Sequence, residues 1–144
     1  MNQSFEIITG YSAEELATMT FADITYPDDL EQDLALTGDL FSGERDGFTM
    51  EKRYVRKNGE VVWVYLTVAM LRDADGRPNQ ALSMVEDITE RQRLSQQLQY
   101  LADHDPLTGL YNRRRFEEEL TSAITSGHAR GIAILVIDLD NFKF

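Results

Sequence analysis

A polar segment that carries three leucines at helical spacing separates two parts of this chain of 144 residues. Leu94, Leu98 and Leu101 lie between residues 89 and 104, among glutamine, arginine and serine residues. One narrow apolar stripe on a polar helix suits pairing with an identical helix or packing on a neighbouring domain. The alternative interpretation is a linker helix surrounded by solvent. An isolated helix of this length is only marginally stable in water, so the first interpretation requires a partner surface.

Both ends of this helix carry recognisable signals. Thr89 and Gln92 fit a capping box at the start. Pro106 disfavours helical geometry at the preceding residue, so we expect the helix to end near His104. We expect His104 and His128 to face solvent in loops.

Composition narrows the classes of function. The formal net charge of −11 at pH 7 argues against nucleic acid as a partner, because phosphate binding requires a basic surface. The absence of cysteine excludes disulfides, thiolate metal sites and cysteinyl adducts. The longest apolar run, residues 132–137, is far shorter than the ~18 residues that a membrane span needs. We expect this segment to be cytoplasmic, although a longer parent protein could be membrane-anchored elsewhere.

The first forty residues carry three helix signals. An apolar-periodic segment precedes Gly10. Ser12 and Glu15 form a capping box at the start of a second helix, and a third helix begins after Pro27. The expected apolar face of the third helix comprises Leu30, Leu34 and Phe41.

From Phe48 onward the apolar period changes to two, which predicts β-strands. Asn58-Gly59 is a strong hairpin signal, for which we expect a type I′ turn. The predicted strands cover residues 49–56, 61–71 and 80–85, with a further turn at 73–76. Antiparallel strands that follow short helices predict the α+β class.

Residues 105–144 have a different pattern. Asn112 is a candidate helix cap, and an amphipathic segment follows it. The apolar run 132–137 is typical of a strand buried on both faces. Asp138 comes directly after that run. A carboxylate there can bind Mg²⁺ or can simply cap a turn, and the residues alone leave both interpretations open.

The first part of the chain carries the patterns N-x-x-F-x-x-x-T-G-Y-S-x-E-E-L, P-D-D and D-I-T-E-R, in that order. These patterns resemble the PAS family of sensor domains. The matching residues are Asn2, Phe5, Thr9, Gly10, Tyr11, Ser12, Glu14, Glu15, Leu16, Pro27, Asp28, Asp29 and Asp87 to Arg91.

The resemblance implies a five-stranded antiparallel sheet whose first two strands precede the N-x-x-F pattern. We expect those strands to be missing here, either because the chain is trimmed or because a partner completes the sheet. The third strand would then have an open edge, which invites pairing with another chain.

PAS relatives bind haem, flavin, small metabolites or nothing. Haem needs an axial ligand such as histidine, and both histidines lie outside residues 1–88, which argues against haem. The photochemical flavin type needs a cysteine, which argues against that cofactor too. Tyr54, Trp63 and Tyr65 are candidate pocket residues, and the alternative is that they only pack on a face of the sheet.

A second motif, Asp-Pro-Leu-Thr-Gly-Leu-Tyr-Asn-Arg-Arg, begins at residue 105. It closely resembles the D-x-L-T-G-L-x-N-R-R opening of the GGDEF family of diguanylate cyclases, at all eight defined positions. The matching residues are Asp105, Leu107, Thr108, Gly109, Leu110, Asn112, Arg113 and Arg114.

The later sequence Ile-Asp-Leu-Asp-Asn-Phe-Lys resembles the first metal-binding loop of the same family. The resemblance implies that Asp138 binds Mg²⁺ through its carboxylate and Leu139 through its backbone carbonyl. It assigns the phosphates of GTP to Asn141, Phe142 and Lys143, and gives Asp140 no ligand role. The family joins two GTP molecules into cyclic di-GMP at two facing sites, which implies a homodimer.

The two resemblances predict an α+β chain in three segments. A PAS sensor domain with its antiparallel sheet covers residues 1–88, a signalling helix covers 89–104, and the first helix and strand of a truncated, ferredoxin-like GGDEF domain cover 105–144. The predicted function is that of a sensory fragment of a bacterial diguanylate cyclase, itself inactive because the G-G-[DE]-E-F loop is absent. The alternative is a PAS dimerisation or ligand-binding module attached to a degenerate GGDEF domain, with a phosphodiesterase domain further on.

Overall fold

The computed structural model describes residues 3–125 and 134–135 of the chain. The chain divides into two compact units, residues 1–95 and 96–144. Among the described residues, four helices, three strands and the start of a fifth helix belong to the first unit, and the second unit contains the end of that helix and a sixth. No helix among the described residues is both long and apolar enough to cross a bilayer.

Four helices precede the sheet. They are α1 (Gln3–Thr9), α2 (Ala13–Leu16), α3 (Phe21–Ile24) and α4 (Pro27–Ser42). The predicted capping box before α2 is present, because Ser12 Oγ accepts from the Glu15 backbone and the Glu15 carboxylate accepts from the Ser12 backbone. Helix α3 was not predicted, since only four residues form it and its capping carboxylate is an aspartate, Asp23.

The predicted apolar face of α4 is largely exposed at two of its three residues. Leu34 and Phe41 are 49% and 61% exposed, whereas Asp33 and Leu40 are buried. The buried side of this helix therefore runs through a charged residue. Apolar periodicity could not identify that side, because Asp33 is placed there by an ion pair with the sheet.

The sheet contains three antiparallel strands in the described residues: β1 (Gly47–Val55), β2 (Val61–Arg72) and β3 (Pro78–Asp87). The α+β class is thus confirmed. Strand β2 lies between the other two, and β3 has no second neighbouring strand within residues 3–125. The described part of the chain contains three of the five strands that the PAS resemblance implies.

The hairpin between β1 and β2 forms where predicted, but the type I′ turn is wrong. Arg56 donates to the Glu60 carbonyl, and Gly59 donates to the Arg56 carbonyl, so three residues form the loop. Gly59 takes the left-handed conformation with φ 86°. This arrangement is a three-residue hairpin loop whose last residue adopts the left-handed conformation. The Asn-Gly sequence is compatible with this loop and with a two-residue turn.

The core lies between the helices and one face of the sheet, which we call the inner face. Alternate residues of β2, from Val62 to Met70, are buried on this face, as strand geometry requires. Two buried clusters form there, one around Leu40 and Phe48 and one around Ile24 and Tyr54. The opposite, outer face carries partly and fully exposed residues.

Helix α5 spans Thr89–Asp103 without a break, close to the predicted bounds. The predicted capping box at its start is not formed. The Thr89 hydroxyl accepts from the Trp63 backbone at 3.0 Å instead, and the Gln92 side chain donates to Glu51 at 2.5 Å. Both polar groups are used to attach the helix to the sheet. Leu94, Leu98 and Leu101 are 48%, 68% and 56% exposed.

Helix α6 spans Arg113–Thr125 in the second unit. Asn112 caps it, since its Oδ1 accepts from the Arg115 backbone at 3.0 Å. The predicted buried strand over residues 132–137 is described only at Ile134 and Leu135, which have no regular secondary structure and are 53% and 83% exposed. No described strand adjoins these two residues, and burial on both faces requires such neighbours.

Candidate functional site

A cavity of about 630 Å³ lies between the helices and the inner face of the sheet. Its wall is mainly apolar and includes Phe5, Leu16, Phe41 and Val68. This volume falls within the range of small-molecule sites, roughly 300–1,000 Å³. An apolar cavity with a few polar groups is the usual form of a ligand site, so this region is the candidate sensor pocket.

Two charged residues contribute to the wall of this cavity. The Lys52 ammonium donates to Asp33 Oδ2 and, at 3.1 Å, to the Thr25 hydroxyl. The side chains of Lys52 and Asp33 are 0% and 2% exposed. The ammonium also lies 4.6 Å from the centre of the Tyr54 ring, close enough for a cation–π interaction. Buried charges are stable only when paired in this way.

Burial dominates the acid–base properties of these groups. Desolvation lowers the pKa of Lys52 below its ordinary value, although the hydrogen bond from Lys52 to Asp33 opposes that change. Desolvation and the negative charge of Asp33 raise the pKa of the Tyr54 hydroxyl above its usual range. Tyr54 is therefore a neutral phenol at physiological pH.

The three aromatic residues predicted for the pocket separate between the two faces of the sheet. Tyr54 lies in the cavity wall, but Trp63 and Tyr65 do not. Residues 62, 64 and 66 of β2 point inward, so 63 and 65 point outward. For Trp63 and Tyr65 the alternative interpretation, packing on a sheet face, agrees with the structure.

Sequence reasoning missed Asp33 and Lys52 as site residues. A signal was available in β1, because Lys52 shares its period-two register with Phe48, Met50 and Tyr54, all of which are buried. A lysine at a core-facing position of a strand requires an anion nearby. The sequence did not indicate that this anion is Asp33, nineteen residues earlier.

The outer face of the sheet holds the start of α5. Glu51 of β1 accepts from Arg91 at 2.7 Å and from Gln92 at 2.5 Å. Ile88 donates its backbone N–H to the Trp63 carbonyl at 2.9 Å. Glu51 and Lys52 are consecutive in β1. The residue that contacts α5 is therefore adjacent to a residue of the cavity wall.

Asp29 connects α4 to β1. Its Oδ2 accepts from the Arg53 backbone at 2.7 Å and from Nε at 2.9 Å, and its Oδ1 accepts from the guanidinium at 2.7 Å. The hydrogen bond from the Arg53 side chain is the main reason that the pKa of Asp29 lies below its usual range.

Replacing Asp29 with asparagine is expected to lower the free energy of unfolding by about 1–2 kcal/mol at pH 7, because the charge-assisted hydrogen bonds are lost. A depressed carboxylate pKa contributes stability above the unfolded value, near pH 4, and this contribution disappears as the pH falls through the folded value. The difference between the two proteins should therefore shrink below about pH 4. Urea titrations at several pH values measure it.

Asp28→Asn is the matched control for this prediction. Asp28 lies 3.5 Å from the same guanidinium, but its side chain is 74% exposed. Exposed ion pairs contribute about 0–1 kcal/mol, so this variant should be nearly as stable as the natural protein. A difference between Asp29→Asn and the natural protein that stays constant from pH 7 to pH 3 would contradict the role assigned to Asp29.

The GGDEF-like opening motif forms a compact turn in the second unit. Asp105 Oδ1 accepts from the Leu107 and Thr108 backbones at 3.1 and 2.9 Å and from the Thr108 hydroxyl at 2.9 Å. These bonds lower the pKa of Asp105, the Thr108 backbone contributing most. Gly109 takes the left-handed conformation with φ 71°. Leu107 and Leu110 are 91% and 70% exposed.

The remaining motif residues join the turn to α5. Asn112 Nδ2 and an Arg114 amino group donate to the Ala102 carbonyl at 2.7 and 2.9 Å, and Arg114 pairs with Asp103. Arg113 pairs with Glu117 on the surface of α6. The structure thus gives Asn112 and Arg114 a role in holding two helices. No group of three or more histidine, aspartate or glutamate side chains that could hold a metal ion lies among the described residues.

His104 was expected to face solvent, and the structure leaves it partly exposed with its ring packed against two tyrosines. Its ring stacks on Tyr100 with the ring centres 4.1 Å apart, and Tyr111 lies 4.9 Å away on a tilted plane. The imidazole Nδ1 is 3.1 Å from the Tyr100 carbonyl. The helical spacing of Tyr100 and His104 brings these rings together, a contact that single-residue reasoning overlooked.

The candidate metal and phosphate ligands lie outside the described residues. These are Asp138, Leu139, Asn141, Phe142 and Lys143. His128 lies outside them as well.

Comparison with known proteins identifies both parts of the chain. A family model described as the PAS fold matches residues 1–85. The chain belongs to the PAS family. A model of the diguanylate cyclase GGDEF domain matches residues 102–144, after the PAS domain. Both resemblances drawn from the sequence are thereby confirmed.

Relatives of this PAS chain are signalling proteins. It is 45% identical over 94 residues to the probable diguanylate cyclase DgcE of Escherichia coli, a match that covers 65% of this chain and 8% of DgcE. It is 42% identical over 60 residues to the cyclic di-GMP phosphodiesterase PdeB of Shewanella oneidensis, covering 42% of this chain and 7% of PdeB. The chain thus spans less than a tenth of either relative.

Solved structures support the same fold. The PAS domain of a Colwellia psychrerythraea protein superposes with a TM-score of 0.56 at 23% identity, covering 62% of this chain and 75% of that one. At this identity the likeness concerns the fold alone. It agrees with the mixed helices and antiparallel sheet of residues 3–87.

Proposed function

We propose that this chain is the sensory and linker part of a bacterial protein that makes cyclic di-GMP from two GTP molecules. The observation that carries the proposal is the order of the two family matches, a PAS domain at residues 1–85 and a GGDEF domain from 102, with the continuous helix α5 between them. The resemblance to a probable diguanylate cyclase supports the same conclusion.

The contacts of β1 offer a route from the cavity to α5. Lys52 belongs to the cavity wall, and the adjacent Glu51 holds Arg91 and Gln92 of the helix. A bound molecule that shifts β1 would change the contacts that position α5. A ligand shifts the equilibrium between two conformations only if it binds them with different affinity. Here the residue of the cavity wall and the residue that holds α5 are adjacent in β1.

The exposed leucines of α5 suit an interface between two copies. Leu94, Leu98 and Leu101 form one apolar stripe, and each is about half exposed or more. A homodimer would bury the stripe and place two cyclase domains near each other. We propose that the signal changes how these paired helices meet, and therefore how often the two GTP sites face each other.

The catalytic part of the proposal rests on the family resemblance. Asp138 would hold Mg²⁺ with the Leu139 carbonyl, and Asn141, Phe142 and Lys143 would bind the phosphates of GTP. A carboxylate and a carbonyl oxygen are ligands that suit Mg²⁺. When bound, the metal supplies activation of the attacking hydroxyl and neutralisation of phosphate charge.

We assign residues 1–88 to the sensor, 89–104 to the signalling helix and 105–144 to the cyclase domain, and place the segment in the cytoplasm.

The proposal is tested by incubating the longer protein that contains this chain with GTP and Mg²⁺ and separating the products by chromatography. We expect cyclic di-GMP and pyrophosphate. The 144-residue chain alone is the matched control and should produce neither.

A second candidate function has a specific observation in its favour, namely the resemblance to PdeB, a cyclic di-GMP phosphodiesterase. In that case the PAS part is a ligand-binding or dimerisation module beside a degenerate GGDEF domain. The same assay separates the two functions, because such a protein would hydrolyse added cyclic di-GMP and form none from GTP.

A further inference from the structure

One oxygen of the buried carboxylate in the cavity has no hydrogen bond from the described part of the protein. Lys52 donates to Asp33 Oδ2, the Thr25 hydroxyl lies 3.4 Å from the same oxygen, and no described residue donates to Oδ1. The Asp33 side chain is 2% exposed, and Asp33 belongs to the cavity wall. A carboxylate oxygen on the cavity wall that no described residue satisfies can accept a hydrogen bond from a donor inside the cavity.

The partner of that carboxylate is, by contrast, satisfied. The Lys52 ammonium donates to Asp33 and Thr25 and lies over the Tyr54 ring. Asp33 and Lys52 are the charged residues among those that line the cavity in the described structure, and their charges cancel. A ligand therefore meets a mainly apolar space of about 630 Å³ with no net charge, on whose wall Asp33 Oδ1 is a charged acceptor without a donor among the described residues.

We propose that the cavity binds a small, uncharged and largely apolar molecule that carries one O–H or N–H group, and that Asp33 Oδ1 accepts the hydrogen bond from that group. An anionic ligand would be repelled by Oδ1, and a cationic ligand would place a second positive charge near Lys52. This inference rests on the proposed sensory function and adds the chemical class of the signal.

The test compares two probes of nearly the same size and shape. Indole carries one N–H donor, and indene has a CH₂ group in its place. Isothermal titration of the 144-residue chain with each probe should show tighter binding of indole, by about tenfold, since a hydrogen bond to a charged acceptor is worth roughly that factor. The anionic probe 1-naphthoate should bind more weakly than indole.

Two variants assign the preference to Asp33. Asp33→Leu combined with Lys52→Met replaces the ion pair by apolar side chains of similar volume, a change that buried pairs often tolerate. This variant should bind indole and indene equally. Glu31→Gln, an exposed change in the same helix, is the matched control and should keep the natural preference.

Each other outcome contradicts the inference. Equal binding of the two probes by the natural chain would contradict the hydrogen bond to Oδ1. Tighter binding of 1-naphthoate than of indole would contradict the preference for an uncharged ligand. Failure of both neutral probes to bind would remove the ligand class. None of these results bears on whether the longer protein makes cyclic di-GMP, so the inference and the proposed function fail separately.

Discussion

Replacing Lys52 with alanine is expected to lower the free energy of unfolding by about 3–5 kcal/mol, because it leaves the Asp33 carboxylate buried without a counter-charge. The Lys52 side chain is fully buried, and its ammonium is the charged partner of Asp33 in the structure. The same substitution removes the cation–π contact with Tyr54. For a small domain of marginal stability, such a loss is a large part of the total. Urea unfolding followed by circular dichroism measures it.

Two further variants separate a lost ion pair from a lost side chain. Lys57→Ala removes an exposed lysine whose partner is Glu15, and it should cost no more than about 1 kcal/mol. Lys52→Met combined with Asp33→Leu removes both charges and should remain close to natural stability. If Lys52→Ala proved as stable as Lys57→Ala, the ion pair would not be the polar centre of this core.

Replacing Asp138 with alanine in the longer protein is expected to slow cyclic di-GMP synthesis by about two to three orders of magnitude. A carboxylate that holds the catalytic Mg²⁺ is worth several kcal/mol in the transition state, and each 1.36 kcal/mol is about tenfold in rate. The measurement is the initial rate of product formation from GTP at saturating Mg²⁺.

Asp140→Asn is the control for this substitution. It removes a carboxylate two residues further along, to which the family resemblance gives no ligand role. This variant should retain most of the rate. Synthesis by Asp138→Ala at the natural rate would refute the metal-binding role, and equal losses in both variants would show that the loop tolerates neither change.

The sequence predicted the elements of this fold better than the contacts between them. Strand periodicity located β1, β2 and β3, because side chains that alternate between a core and an exposed face leave a period-two pattern. Leu34 was assigned to the wrong side of α4, because the buried side of that helix includes Asp33. A pattern of apolar residues cannot indicate a helix face on which a buried carboxylate lies.

The candidate site was less predictable for a related reason. Its polar centre joins Asp33 and Lys52 from distant parts of the chain, and no local motif marks such a pair. Trp63 and Tyr65 were grouped with Tyr54 by residue type, although strand alternation places them on the other face. At the start of α5, Thr89 and Gln92 had the spacing of a capping box, but contacts with Trp63 and Glu51 replaced it.

The proposed role of α5 is to transmit the state of the PAS domain to the cyclase domain, and the most direct test changes the phase of this helix. Inserting two residues after Ser95 rotates the following part of the helix by about 200°, whereas inserting seven rotates it by about 20° from its original phase.

Cyclic di-GMP synthesis by the longer protein is measured for both insertions. The two-residue insertion turns Leu98 and Leu101 away from the helix face that carries Leu94. It should therefore change the rate by about fivefold or more. The seven-residue insertion should leave it nearly unchanged. Equal rates in the natural protein and the two-residue variant would contradict transmission through α5.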